Sequence, residues 1–274
     1  MSAVTERATG RAAPAERVTL RRVAASEWVK LRSLRSTYWT LGVGVVFMVG
    51  IGLLFCAVAA AQWDSVTSSE NDFDAAAASL AGIYLSQLAV ATLGVLVMTS
   101  EYSTGMIRAT LSAVPRRLPV LAAKVVVFGA VVLVVLGIAT LAAFSGGQAL
   151  LASVHGGASL GDPGVARAVL GAVLFLTVIG ILGVGLGGLV RNTAGSLAIL
   201  FGLLFVLPIV AAVLPGSWGS RVSPYLPGNA GMAVMARTHE HGTLGPWSGF
   251  ALFCGYAAAV VVVAGLLLRA RDAA

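Results

Sequence analysis

Few side chains in this sequence stand where they could do chemistry. His239, Glu240 and His241 are the densest group of metal-capable residues. Alternating histidines on an extended segment can share a face, but a zinc site takes at least three protein ligands, and a third dependable one is missing nearby. The expected reading is a polar loop, with no metal bound. No Gly-x-x-x-x-Gly-Lys-Ser/Thr run occurs, so the chain lacks the backbone cradle that holds nucleotide phosphates. The long apolar runs hold no His-Glu-x-x-His, no Gly-x-Ser-x-Gly and no paired carboxylates. An ion-coupled carrier keeps an ionisable group near the membrane midplane, whereas Glu101 and Lys124 flank the apolar runs and do not interrupt them. Gln87, Thr92, Thr140, Gln148 and Thr177 lie in or close to those runs and are suited to hydrogen bonding between helices. The sequence therefore predicts no catalytic residue and no cofactor bound by this chain.

The elements that would carry any site are plain. Six stretches, at about 38–61, 78–99, 125–145, 168–190, 195–214 and 248–268, are apolar and contain no Asp, Glu, Lys, Arg or His. A membrane-crossing helix needs ~20 such residues, since backbone groups in lipid must bond within the segment. Only 11% of the 274 residues are charged, against about 25% in soluble domains. The fold expected is an all-α polytopic membrane protein of six transmembrane helices, occupying 19–274 behind a disordered tail at 1–18.

Basic residues set the orientation. Arg7, Arg11, Arg17, Arg21, Arg22, Lys30, Arg32 and Arg35 precede the first span. Arg108, Arg116, Arg117 and Lys124 lie between the second and third, Arg191 lies after the fourth, and Arg269 and Arg271 follow the sixth. Only Arg167, Arg221 and Arg237 fall on the other side, with Asp64, Glu70, Asp72 and Asp74. The positive-inside rule makes both termini cytoplasmic. The net charge of +7 thus belongs to tails and loops beside spans, and no nucleic-acid partner is expected. The first 37 residues are too long and too basic for a cleavable signal. Cys56 and Cys254 fall inside spans and read as inert small hydrophobes.

Connections carry further detail. Leu20, Val23, Ala24, Trp28, Leu31 and Leu34 recur at helical spacing among five basic residues, the pattern of an amphipathic helix at the lipid surface. Gly180, Gly183, Gly185, Gly187 and Gly188 allow close helix approach, within the chain or across a dimer. Pro208 should bend the fifth span. Segment 215–247 reads as short interfacial or re-entrant helices. Between the second and third spans, Gly105 loosens the helix start, Met106, Ile107, Leu111 and Val114 form an apolar stripe, and Pro115 stops it before Arg116 and Arg117. Such a short helix suits a lever docking into a motor subunit; a loop that only sets topology is the other reading.

The block Glu101-Tyr-Ser-Thr-Gly-Met-Ile-Arg-Ala-Thr-Leu-Ser-Ala-Val-Pro-Arg-Arg117, behind Glu27-Trp-Val-Lys-Leu-Arg-Ser-Leu-Arg-Ser-Thr37, resembles permeases of the type-2 ABC exporter class, the six-span actinobacterial ones especially. Arg191-Asn-Thr-Ala-Gly-Ser196 and Tyr225-Leu-Pro227 are similar to the same family. The resemblance implies a bacterial plasma-membrane efflux permease, half of a homo- or heterodimer, each half resting on a separate cytoplasmic ATPase that holds ATP and Mg. It implies a coupling helix at 102–114, with ATPase-coupling residues Glu101, Tyr102, Gly105, Met106, Ile107, Arg108, Leu111, Pro115, Arg116 and Arg117. It implies an interfacial helix at about 19–35 (Trp28, Lys30, Leu31, Arg32) in contact with membrane lipid, and an outer gate at Pro224, Tyr225 and Pro227. A non-transporting sensor or immunity protein remains an alternative, as does a membrane enzyme acting on lipid, for which Glu101 without a nearby His is poor material.

Overall fold

The computed structural model describes residues 19–67, 73–106, 117–154, 156–214, 218–237 and 242–270. The described elements are helical throughout, and six helices are long and apolar enough to cross a membrane. Helix α1 (Leu20–Ser33) leads into α2 (Arg35–Ala61), followed by the short α3 (Trp63–Thr67) and α4 (Ala75–Ser79). Helices α5 (Ile83–Ser103), α6 (Arg117–Ala152) and α7 (Val165–Val190) come next. The fifth span is composite: α8 (Thr193–Phe201), a π-helical turn at Gly202–Val206, then α9 (Leu207–Ala212). After the short α10 (Trp218–Val222) and α11 (Pro227–Met232), α12 (Pro246–Ala270) closes the bundle.

Helices α5 and α7 form its centre. Of their apolar stretches 67% and 78% are buried, against 22% for the fifth span. Glycine makes that contact possible. A Cβ at Gly94 would run into the Gly180 carbonyl, one at Gly183 into that of Ala91, and one at Gly187 into that of Val95. Gly185 and Gly188 face Val260, Val261 and Ala264 of α12 instead. Gly180 also lies against Phe128 of α6, so the glycine run of the fourth span is used within the chain on three neighbours. Outward-facing side chains such as Val46, Phe55, Val126, Ile138 and Ile209 are apolar and exposed, which suits lipid and not water.

Most helix ends lie within a few residues of the sequence expectation, and three features depart further, each for a local reason. The second span starts at Ile83 because Gly82 presses against the Phe47 and Met48 backbone of α2, and α4 stands as a separate turn before it. The third helix has 36 residues, about 54 Å at 1.5 Å per residue, and so projects past a hydrocarbon core of ~30 Å. In the fifth span Pro208 has no N–H to give to the Leu204 carbonyl, and the preceding turn widens so that Leu207 N–H bonds Gly202 O. The π-turn thus directly precedes the proline.

Segment 218–237 consists of α10, α11 and two 3₁₀ turns folded back onto the bundle. Gly231 sits against Phe175 and Phe253, whose rings stack at 5.4 Å. Phe175 is ten residues into α7, so the segment reaches ~15 Å along that helix. α1, the start of α6 and the last turns of α12 gather at one end, where Gly265 lies against Leu118 and Leu121. Helices α3, α4 and α11 gather at the other.

Candidate functional site

At the α1 end, charged side chains from three elements meet. Two come from α1, Glu27 and, one turn on, Lys30; Glu101 comes from the last turn of α5 and Lys124 from the second turn of α6. Lys124 Nζ donates to Glu27 Oε2 at 2.6 Å and to Glu101 Oε1 at 2.9 Å. Lys30 Nζ donates to Glu27 Oε1 at 2.6 Å and to the same Glu101 Oε1 at 2.9 Å. The side chains of Glu27, Glu101 and Lys124 are at most 5% exposed, while Lys30 keeps 24%. Two carboxylates meet two ammonium groups, so the formal charges cancel.

Helical spacing builds the cluster. Val23 on α1 packs against Val120 and Ala123 of α6. One turn further along each helix, the same seam sets Glu27 against Lys124. An isolated charge buried there would cost several kcal/mol, so each ion depends on its partners. Burial pulls the Lys30 ammonium down, but hydrogen bonds and attraction from Glu27 and Glu101 outweigh it and hold the group above the ordinary lysine value. Glu101 serves both lysines through one oxygen. Its Oε2 is buried and has no hydrogen-bond partner among the described residues.

The same end of α5 is tied to a second neighbour. Tyr102 is half-buried beneath the Arg191 guanidinium, 5.2 Å from the ring centre. Arg191 ends α7 in the left-handed region (φ 58) and its Nη2 reaches Leu267 O of α12 at 3.4 Å. Thr193 Oγ1 donates to Thr99 Oγ1 at 2.8 Å, and Asn192 caps α8 through Gly195 N–H. The turn between the fourth and fifth spans is as tight as its sequence implied. Next along the chain, Gly105 is left-handed (φ 69) and a Cβ there would meet none of the described residues within 4 Å, and Met106 is exposed.

The other sequence-predicted residues separate. Ile107, Arg108, Leu111, Pro115 and Arg116 lie outside the described residues, and Arg117 opens α6. On α1, Leu31 is buried, whereas Trp28 and Arg32 are exposed. The sequence periodicity groups Trp28 with Val23 and Leu31 on one apolar face; the buried stripe runs through Glu27 instead. Pro224 lies in a 3₁₀ turn, Tyr225 is exposed with its carbonyl accepting from Tyr256 Oη at 3.0 Å, and Pro227 is the first residue of α11. They belong to the opposite end and do not meet the charge cluster.

Polar groups within the spans mostly bond their own helices. Thr140 donates to Leu136 O, Thr177 to Val173 O and Gln87 to Tyr84 O, so for these the expected bonding between helices is not what forms. Gln148 does bridge elements: its Nε2 donates to Ala75 O and Ser79 Oγ, and its Oε1 accepts from Ala158 N–H. Nearby, Asp74 caps α4 and accepts from Arg237 Nη1 at 2.9 Å. The connection before α7 contains Gly157-Ala-Ser-Leu-Gly161, which fits the Gly-x-Ser-x-Gly spacing. A serine nucleophile needs a strand-to-helix elbow, but Ser159 sits in a turn where its Oγ accepts from Gly161 N–H. Among the described residues no group of three His, Cys, Asp or Glu could hold a metal, and 239–241 lie outside them.

Glu27 and Lys124 are the members that sequence reasoning missed. The signal was present: Glu27 is the one acid among the basic residues of α1, and it falls four residues from both Val23 and Leu31 on the stripe that packs. The chain matches no protein-family model and no curated protein sequence.

Proposed function

We propose that this chain is the permease subunit of an ATP-driven exporter in the plasma membrane of a bacterium. It works as half of a dimer, with both termini cytoplasmic, on a separate ATPase that binds ATP and Mg. One observation carries the reading. The two segments that resemble exporter permeases, 27–37 and 101–117, are the two that the buried charge cluster ties together. A lever is useful only if its root is stiff. Here Gly105 and Met106 stand clear of the described bundle, while the turn behind them is fixed to α1 and α6 through Glu101, and to α7 and α12 through Tyr102 and Arg191. α5 then continues into the most buried contact of the molecule, against α7.

In this reading the ATPase pushes on 102–114, and the push travels along α5 into the glycine seam instead of being absorbed by loop bending. Glu101 holds both lysines on one oxygen, so a small shift of the loop changes the sharing between Lys30 and Lys124 without stranding either, since Glu27 retains both. The opposite end, with Pro224, Tyr225 and Pro227, supplies the outer gate.

The test is co-purification. The tagged chain, extracted from native membranes in mild detergent, should carry a stoichiometric phosphate-loop ATPase, and Gly105→Asp or Met106→Asp should release it and abolish transport while insertion persists. Recovery of the chain alone, intact and repeatedly, would point to a non-transporting sensor. For orientation, a cysteine at Ser69 should react with an impermeant thiol reagent in whole cells and one at Ser112 should not.

A further inference from the structure

The corner where α1 turns into α2 encloses a groove of about 670 Å³. Helix α2 supplies Leu41, Gly42 and Val46 to its walls and α6 supplies Val131 and Val135, while Trp28, Arg32 and Tyr38 stand at its mouth. The walls are apolar, and one cation, Arg32, shares the lining with the aromatic side chains of Trp28 and Tyr38. From Thr37 to Val46, the part of α2 that lines the groove, the helix rises about 14 Å, close to the ~15 Å depth of one leaflet's hydrocarbon. The groove therefore has the length of a single acyl chain, with its polar mouth where a headgroup would lie.

The charge at the mouth indicates which headgroup. Glu27, the one acid of α1, is consumed by Lys30 and Lys124. What α1 and the start of α2 expose is cationic: Arg21, Arg22, Arg32 and Arg35. Among the described residues no carboxylate pairs with Arg32. We propose that this groove is a binding site for an anionic phospholipid, one acyl chain lying along Gly42 and the phosphate on the Arg32 guanidinium. The inference needs only the membrane setting of the six apolar helices and stands whether or not an ATPase is the partner.

Gly42 makes the test clean, because a Cβ there meets no atom within 4 Å. A larger side chain at that position starts into open space within the groove's lining, and replacing a helical glycine favours the helix. The full-length chain, with whatever co-purifies, is exchanged into detergent containing equal phosphatidylglycerol and phosphatidylcholine of identical chains. Bound lipid per chain is counted by native mass spectrometry.

Wild type should retain phosphatidylglycerol over phosphatidylcholine by about fivefold, the effect of one cation near an anionic headgroup. Arg32→Gln should still retain lipid but lose the preference. Gly42→Phe should lose both lipids at unchanged melting temperature, and Val46→Trp should do so if Gly42→Phe fails to accumulate. Equal retention of the two lipids by wild type overturns the proposal. So does retention by both filled variants, or a chain that keeps no lipid but whose dimer is broken by Gly42→Phe, which would make the occupant a second copy.

Discussion

The two ends of this bundle solve the same problem with opposite means. At the α1 end, four charges drawn from α1, α5 and α6 lock two connections to the helices, and three of the four are almost completely buried. At the other end, the connection before α5 is held by Asp74–Arg237, whose side chains are 35% and 30% exposed, and by the neutral amide of Gln148. A buried ion cluster is unforgiving, because removing one partner strands another charge in low dielectric. An exposed pair can break and reform in water at little cost. The stiff end is the one proposed to take force; the yielding end is the one proposed to open.

The sharpest way to break that contrast is Lys124→Met. Among the described residues it leaves Glu27 and Glu101 with only Lys30 between them, and we predict a loss of about 3–5 kcal/mol, read as a lowered unfolding midpoint in detergent. Glu27→Leu combined with Lys124→Met removes a whole pair, leaving Lys30 with Glu101, and should recover most of that loss. A single-variant cost below about 1 kcal/mol, the range of exposed pairs, would show that water reaches the cluster.

Between the ends lies the α5–α7 seam, and Gly94→Leu tests whether it is as close as described. The new Cβ would meet a carbonyl, not a flexible side chain, so the helices must part, at about 1–3 kcal/mol or more for an overpacked contact. Under the proposed mechanism the variant should also uncouple ATP hydrolysis from transport. Gly42→Leu, with open space around it, is the matched control and should not destabilise.

How far the sequence could be read follows from what each feature depends on. Span positions were legible because uncharged apolar length is a one-dimensional property, and the turn at Arg191–Asn192 was legible because only four residues separate two runs. The cluster was not, because Glu27, Glu101 and Lys124 lie far apart in the chain and each separately resembles an interfacial charge. Only the register of α1 on α6, fixed by Val23 against Val120 and Ala123, brings them together. The third helix was underestimated for a related reason. Its first turns carry Arg117 and Lys124, which look like loop charges until one of them is seen to be buried.

At the yielding end smaller effects are expected, and two variants separate their causes. Asp74→Ala removes both the cap of α4, which accepts from Ala76 and Ala77 N–H, and the pair with Arg237. The cap alone is worth roughly 0.5–2 kcal/mol. Arg237→Gln removes only the pair and should cost no more than ~1 kcal/mol, shrinking as salt is raised. Equal losses from the two variants would mean that the pair, not the cap, holds α4, and the contrast between ends would weaken.

The smallest effect concerns pH and distinguishes Lys30 from the rest of its cluster. Because its pKa is raised in the folded chain, the native state holds that proton more tightly than the unfolded state. Its contribution is therefore complete below the ordinary lysine value of 10.5 and disappears as pH climbs through the raised folded value. The stability difference between wild type and Lys30→Met should be flat from neutral pH to about 10 and narrow above it. A difference that instead changes between pH 5 and 8 would assign the linkage to a group other than Lys30.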